Sequence, residues 1–215
     1  MKKNQNVLAG ILLLVGFAVW TFLIQAVDVQ PIGPNGSSVG FASLNGWFHQ
    51  LTGVHWMLYT LTDWLGLVPI CVCLIFAGAG FVQFVQRRSL FKVDLDMIML
   101  GAYYVLVIFG YLLFEIVPIN YRPVLIEGFL EASYPSSTTL LVLSVMPTLC
   151  FQTRRLTSNA FRQAIRIFSV LFSAFMVIGR LVSGVHWLTD IVGAVLLSSG
   201  MFQIYKTCVN LLCKE

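Results

Sequence analysis

An Arg, a His and an Asp stand inside an otherwise apolar run, Gly179 to Asp190, and ionisable side chains in such surroundings usually mark function. His186 and Asp190 are four residues apart. On a helix they lie one above the other, so the carboxylate can accept a hydrogen bond from one ring nitrogen while the second points away. That arrangement orients an imidazole that attacks or moves a proton. Arg180 lies six residues upstream of His186, across Gly184, where a turn can bring its planar donor fork over the same spot. The trio suits a phosphate. A polar cluster that glues helices together is the plain structural alternative.

Two further stretches carry side chains for the same chemistry: Tyr121-Arg122-Pro123, and Ser133-Tyr134-Pro135-Ser136-Ser137-Thr138-Thr139. Ser136, Ser137 and Thr138 precede an apolar helix, where hydroxyls and the first unpaired backbone amides form an anion cradle. Simple N-capping of that helix accounts for the same residues. The five cysteines (Cys71, Cys73, Cys150, Cys208 and Cys213) have no partners at metal-ligand spacing and read as small packing residues.

The elements that must position these groups are membrane spans. The chain is 58% hydrophobic and 10% charged, with a mean hydropathy of +0.87, whereas a soluble domain carries about 25% charge. The apolar runs are continuous rather than alternating, which excludes a barrel. An all-α, six-span helical bundle is expected, as one integral-membrane domain over residues 1–215. The spans run from Val7 to Val27, Val54 to Val85 (with Asp63 near its start), Met97 to Pro118, Thr138 to Phe151, Ile167 to Val182 and Trp187 to Tyr205. The first is read as retained, not as a cleaved signal peptide, because no small-x-small site follows it. Phe41, Leu44, Trp47, Phe48 and Leu51 recur at helical spacing and predict a short helix lying in the interface. Asn120 to Pro135 reads as a polar connection and Gln152 to Arg166 as the most basic loop.

Basic residues orient the bundle. With a cytoplasmic N-terminus, the inner side receives Lys2, Lys3, Arg87, Arg88, Lys92, Arg154, Arg155, Arg162, Arg166, Lys206 and Lys214, eleven of the thirteen. The two on the outer side are Arg122 and Arg180, the residues already suspected of chemistry. The expected location is a multi-pass bacterial cell membrane, with both termini cytoplasmic and the site on the outer face.

In order and spacing these segments resemble the type 2 phosphatidic acid phosphatase superfamily, integral-membrane lipid phosphatases that share a helical core with vanadium haloperoxidases. Its signatures are Lys, six residues, then Arg-Pro; Pro-Ser-Gly-His; and Ser-Arg, five residues, His, three residues, Asp. Arg122-Pro123 matches the end of the first, Pro135-Ser136 the start of the second, and Arg180, His186 and Asp190 the third. The resemblance implies that His186 is the nucleophile, passing through a phosphohistidine, and that Asp190 orients and charge-balances its ring. It further implies that Arg122, Arg180, Ser136 and the amides around Ser137 hold the phosphate oxygens. It implies no metal and no cofactor, since arginines and amides supply the positive potential. The implied partner is a membrane lipid substrate; no nucleic acid is expected, and the sequence leaves the oligomeric state open.

The chain departs from the signatures at several positions. Glu115 stands where the family has Lys, Gly179 where it has Ser, Ser137 where it has Gly, and Thr138 where it has the second His, the general acid. Thr cannot protonate a leaving oxygen near neutral pH. A substrate whose leaving group needs little help, such as a polyprenyl diphosphate, fits this loss, and His49 or His55 could supply the acid. Alternatively the chain binds a lipid phosphate without hydrolysing it. Glu115 is expected either to pair with Arg122 or to weaken the site's grip on a dianion. A small transporter with Asp63 as its ion site is a third class, but the segments show no inverted repeat.

Overall fold

The computed structural model describes residues 2–155 and 158–213. Of the basic residues assigned to the inner side, Lys214 and the side chains of Lys2, Lys3 and Arg155 lie outside this description.

The helices are α1 (Lys2–Ala26), α2 (Ala42–Thr52), α3 (Trp56–Leu65), α4 (Leu67–Arg87), α5 (Leu95–Ile116), α6 (Ser137–Gln152), α7 (Asn159–Val182) and α8 (Leu188–Leu212). Among the described residues, five stretches are long and apolar enough to cross a membrane: α1, α3 with α4, α5, α7 and α8. The sixth apolar helix, α6, has 16 residues and reaches only about 24 Å, less than a hydrocarbon core of about 30 Å. Its position explains the shortness. Leu140, Val142, Val145, Met146 and Phe151 are all buried, because α4, α5, α7 and α8 pack around α6 and shield it from lipid. The expected all-α bundle of six apolar segments is what forms, in an integral membrane protein.

Three expectations from the sequence are revised. The second apolar run is two helices that break at Gly66, where the amide donates to Thr62 and Asp63 carbonyls. The seventh helix begins at Asn159 rather than near Ile167, so half of the expected basic loop is a helical extension. His186 precedes α8 instead of lying on it. Trp187 is extended (φ −73°, ψ 154°), and the helix starts at Leu188 with Asp190 in its first turn. The predicted interfacial helix forms as α2, with Trp47 and Leu51 exposed.

Adjacent spans run antiparallel, which brings the connections after α1, α5 and α7 to one end. Beside α8, Trp20 Nε1 donates to Thr189 O at 3.1 Å, and Phe17 stacks on Tyr134 with centroids 6.0 Å apart. Tyr134 packs flat on α8 because residue 193 is Gly; a Cβ there would stand 2.4 Å from the Tyr134 ring. The connection 117–136 is not plain coil, since isolated antiparallel bridges join Tyr121 to Ala132 and Ile126 to Phe129.

Candidate active site

The α7–α8 turn is set by Gly184. Its φ is +71°, and a Cβ would stand 1.9 Å from Gly53 O, so no side chain fits there. The His55 amide donates to Ser183 O at 3.0 Å, and Asn45 bonds Thr189 through both ends of its amide. Trp187 Nε1 donates to Tyr121 O at 2.7 Å, which ties the turn to the 117–136 connection. Three separate segments, the α2–α3 connection, α2 and the 117–136 connection, therefore fix the backbone on either side of His186.

His186 is 3% exposed. Its Nδ1 faces two acceptors, Ser133 O at 3.2 Å and Asp190 Oδ2 at 3.7 Å, so the ring hydrogen belongs on Nδ1 and Nε2 keeps its lone pair. Nε2 lies 3.4 Å from Arg122 Nη1. The carboxylate is nearer its other partners than the ring: Oδ2 accepts the Trp187 amide at 2.9 Å and Oδ1 accepts from Asn120 Nδ2 at 3.4 Å. Asp190 thus caps its own helix and stands behind the imidazole at ion-pair distance. Burial, and then the positive charges of Arg122 and Arg180, hold the His186 imidazole well below its ordinary titration range. The ring is neutral.

Arg122 enters from the connection. Its amide donates to Glu131 O at 3.0 Å, and the facing side chains meet with Nε 3.0 Å from Glu131 Oε2, without the alignment of a hydrogen bond. Its ion-pair partner is Glu131, a residue sequence reasoning passed over. Arg180, 1% exposed, makes long polar contacts, Nη1 to Thr62 Oγ1 at 3.4 Å and Tyr59 O at 3.5 Å and Nη2 to Asp63 Oδ1 at 3.6 Å, and its guanidinium lies 4.9 Å over the Tyr59 ring. Its Nε is buried without a hydrogen-bond partner among the described residues.

His186, Arg122, Glu115, Glu131 and Ser137 line one cavity of about 240 Å³ with mainly polar walls. Ser136 does not line it; its hydroxyl donates to Thr139 Oγ1 at 3.1 Å. No side chain caps α6, so its first-turn amides at Ser137 are not engaged by a capping oxygen. Thr138 points elsewhere, into an apolar cavity of about 260 Å³ that also takes in Asp63, Leu67 and Val107. The two cavities meet at Tyr111 and Ser137. His49 and His55 line neither: His49 packs against the Trp187 ring at 5.6 Å, and His55 Nε2 lies 2.8 Å from Thr52 O.

A neutral imidazole opposed to an arginine and an uncapped helix N-terminus is chemistry for a phosphate, and the sequence profile of the PAP2 superfamily matches residues 97–212. The chain belongs to the PAP2 superfamily. The match covers α5 to α8 and includes every residue of the cavity named above. Among solved structures, the chain is similar to that described as the first transmembrane PAP2-type phosphatidylglycerolphosphate phosphatase from Bacillus subtilis. The TM-score is 0.64 at 16% identity, over 94% of this chain and 96% of that one, a likeness of fold. No curated protein matches. As a PAP2 protein, the chain is a membrane phosphatase by family.

Proposed function

We propose that the chain removes a phosphoryl group from a lipid phosphate or polyprenyl diphosphate, with His186 as the nucleophile. The observation that carries this is the single cavity in which His186 Nε2, Arg122 and the uncapped start of α6 face the same space. Nε2 attacks phosphorus and the P–O bond to the leaving group breaks, giving a phosphohistidine. Water then attacks phosphorus, the P–N bond breaks, and inorganic phosphate leaves. Nδ1–H stays on Ser133 O and Asp190, which balances the charge that the ring gains. Arg122 and the amides at Ser137 stabilise the equatorial oxygens as charge spreads over them, and Arg180, which does not line the cavity, adds its positive charge to the field at His186. Ser136 supports this from behind by setting the start of α6.

The neighbouring cavity supports a lipid substrate. A phosphate beside His186 leaves the first carbons of its tail at Tyr111 and Ser137, where the apolar cavity begins. No second histidine lines either cavity, and Glu131 is engaged with Arg122. A diphosphate, whose departing phosphate is already a stable anion, therefore suits the site better than a monoester. By the placement of its basic residues, the site faces the outer side of the membrane with both termini inside. The runner-up, a lipid-phosphate binder without turnover, is favoured by one feature: Glu115 and Glu131 share the cavity and oppose a dianion.

The experiment is a phosphate-release screen over lipid monophosphates and polyprenyl diphosphates with purified protein in detergent. The expected outcome is release from diphosphates faster than from monophosphates. Binding to the panel without release from any member would replace the enzyme by the silent binder.

A further inference from the structure

The end of the bundle remote from His186 holds a third cavity, of about 650 Å³, between α6, α7 and α8. Its wall changes character along the helix axes. Toward the middle of the bundle it is apolar, with Leu143, Pro147 and Phe202. Toward the helix ends it presents Arg154, Arg166 and Lys206, and no acidic side chain among its described lining residues. Arg166 is exposed and Lys206 half-buried. The Arg154 guanidinium lies 3.7 Å over the Phe151 ring, which borders the same space.

Ser169 also lines this cavity, at 3% exposure, and its Oγ has no hydrogen-bond partner among the described residues. A hydroxyl on a helix ordinarily donates to the carbonyl four residues back, as Thr207 does to Gln203 O at 2.8 Å and Thr153 to Leu149 O at 2.7 Å. Ser169 does not, so its donor is left for something in the cavity. On the facing wall, Pro147 has no amide to give to the carbonyl of Leu143. Arg166 and Ser169 are three residues apart on α7, about 4.5 Å along the axis. That is the spacing at which a charged head and an ester carbonyl follow one another in a glycerophospholipid.

We propose that this cavity binds one anionic glycerophospholipid. Its phosphodiester sits among Arg154, Arg166 and Lys206, an ester carbonyl accepts from Ser169 Oγ, and one acyl chain lies against Pro147 and Phe202. The occupant is distinct from any substrate at His186, since Arg166 and Arg180 are 14 residues apart on one helix, about 21 Å.

The test is native mass spectrometry of the full chain with dioleoylphosphatidylglycerol and, separately, dioleoylphosphatidylcholine. One phosphatidylglycerol per protein should be retained in preference to phosphatidylcholine. The double variant Arg166→Gln/Lys206→Gln should retain it roughly 25-fold less, about fivefold for each basic residue, and Ser169→Phe, which removes the hydroxyl and puts a ring in its place, should weaken retention. Arg122→Gln should bind it as the unaltered chain does. Equal retention of the two lipids by the unaltered chain overturns the proposal and needs no variant to fold. Undiminished binding by the double variant, or loss on Arg122→Gln, overturns it too.

Discussion

The two halves of the candidate site are held in different ways. The α7–α8 turn, which carries His186, is clamped through its backbone: Gly184 against Gly53, Ser183 O under the His55 amide, and the Thr189 amide on Asn45 Oδ1. The 117–136 connection, which carries Arg122, is clamped largely by its own polar groups, with Glu131 opposite Arg122 and two isolated bridges. A backbone clamp fixes one atom, Nε2, and tolerates little change. An ion pair between side chains fixes a charge more loosely, and a substrate phosphate can compete for it. Nucleophile geometry should therefore be invariant across substrates, whereas head-group preference should reside in the connection.

Substitutions separate the halves. His186→Ala should lower phosphate release on the order of 10³-fold or more while the protein stays folded, since it removes the attacking atom and the Nδ1 contact to Ser133 O but leaves the contacts of Gly184, Ser183 and Thr189 in place; steady-state rates beside a thermal melt check this. Gly184→Ala should act on both fold and activity, because the Cβ meets Gly53 O and φ is +71°. A melting temperature equal to that of the unaltered chain would contradict the clamp. Arg122→Gln should reduce kcat/KM by about 10²-fold, the scale of a lost donor to a developing oxyanion, with the melting temperature nearly unchanged. Glu131→Gln should be the mildest, a change of a few fold. It should move KM rather than kcat and alter the ratio between monophosphates and diphosphates, because it releases Arg122 without touching His186.

Acid should also act on the turn first. Burial and the two arginines lower the folded-state pKa of His186, so between that value and the unfolded value near 6.5 the unfolded chain binds more protons. Stability from this group is complete above about pH 6.5 and is lost as pH falls toward the folded value. The same shift keeps Nε2 unprotonated below pH 6.5. A thermal melt series from pH 7.5 to 4.5 on the unaltered chain and on His186→Ala should show a steeper acid loss in the former.

The contrast also explains what was readable in the sequence. Arg180, His186 and Asp190 fall within eleven residues of an apolar run, so their ionisable character stood out, and Gly184 signalled the turn. The apolar runs gave the spans for the same reason. The partners were hidden because packing brings them together: Asn120 reaches Asp190 across 70 positions and Tyr59 meets Arg180 across 121. Asp63, read as an ion site for a transporter, stands 3.6 Å from Arg180 as the partner of a buried cation. The break at Gly66 left no mark, since Leu65-Gly66-Leu67 continues an apolar run. The extension of α7 left none either, because a polar helix beyond the membrane has the composition of a loop. Glu131 was passed over because only the Tyr121–Ala132 bridge brings it opposite Arg122.

Everything proposed for the site turns on His186 Nε2 taking the phosphoryl group. The direct measurement is rapid quench of purified protein with a polyprenyl diphosphate labelled in its terminal phosphate, followed by acid and base treatment of the denatured chain. The expected result is a covalent label that survives base, is released by acid as a phosphohistidine is, maps to the peptide containing His186, and is absent from His186→Ala. A label that persists in His186→Ala, or substrate turnover by that variant at the rate of the unaltered chain, would contradict it.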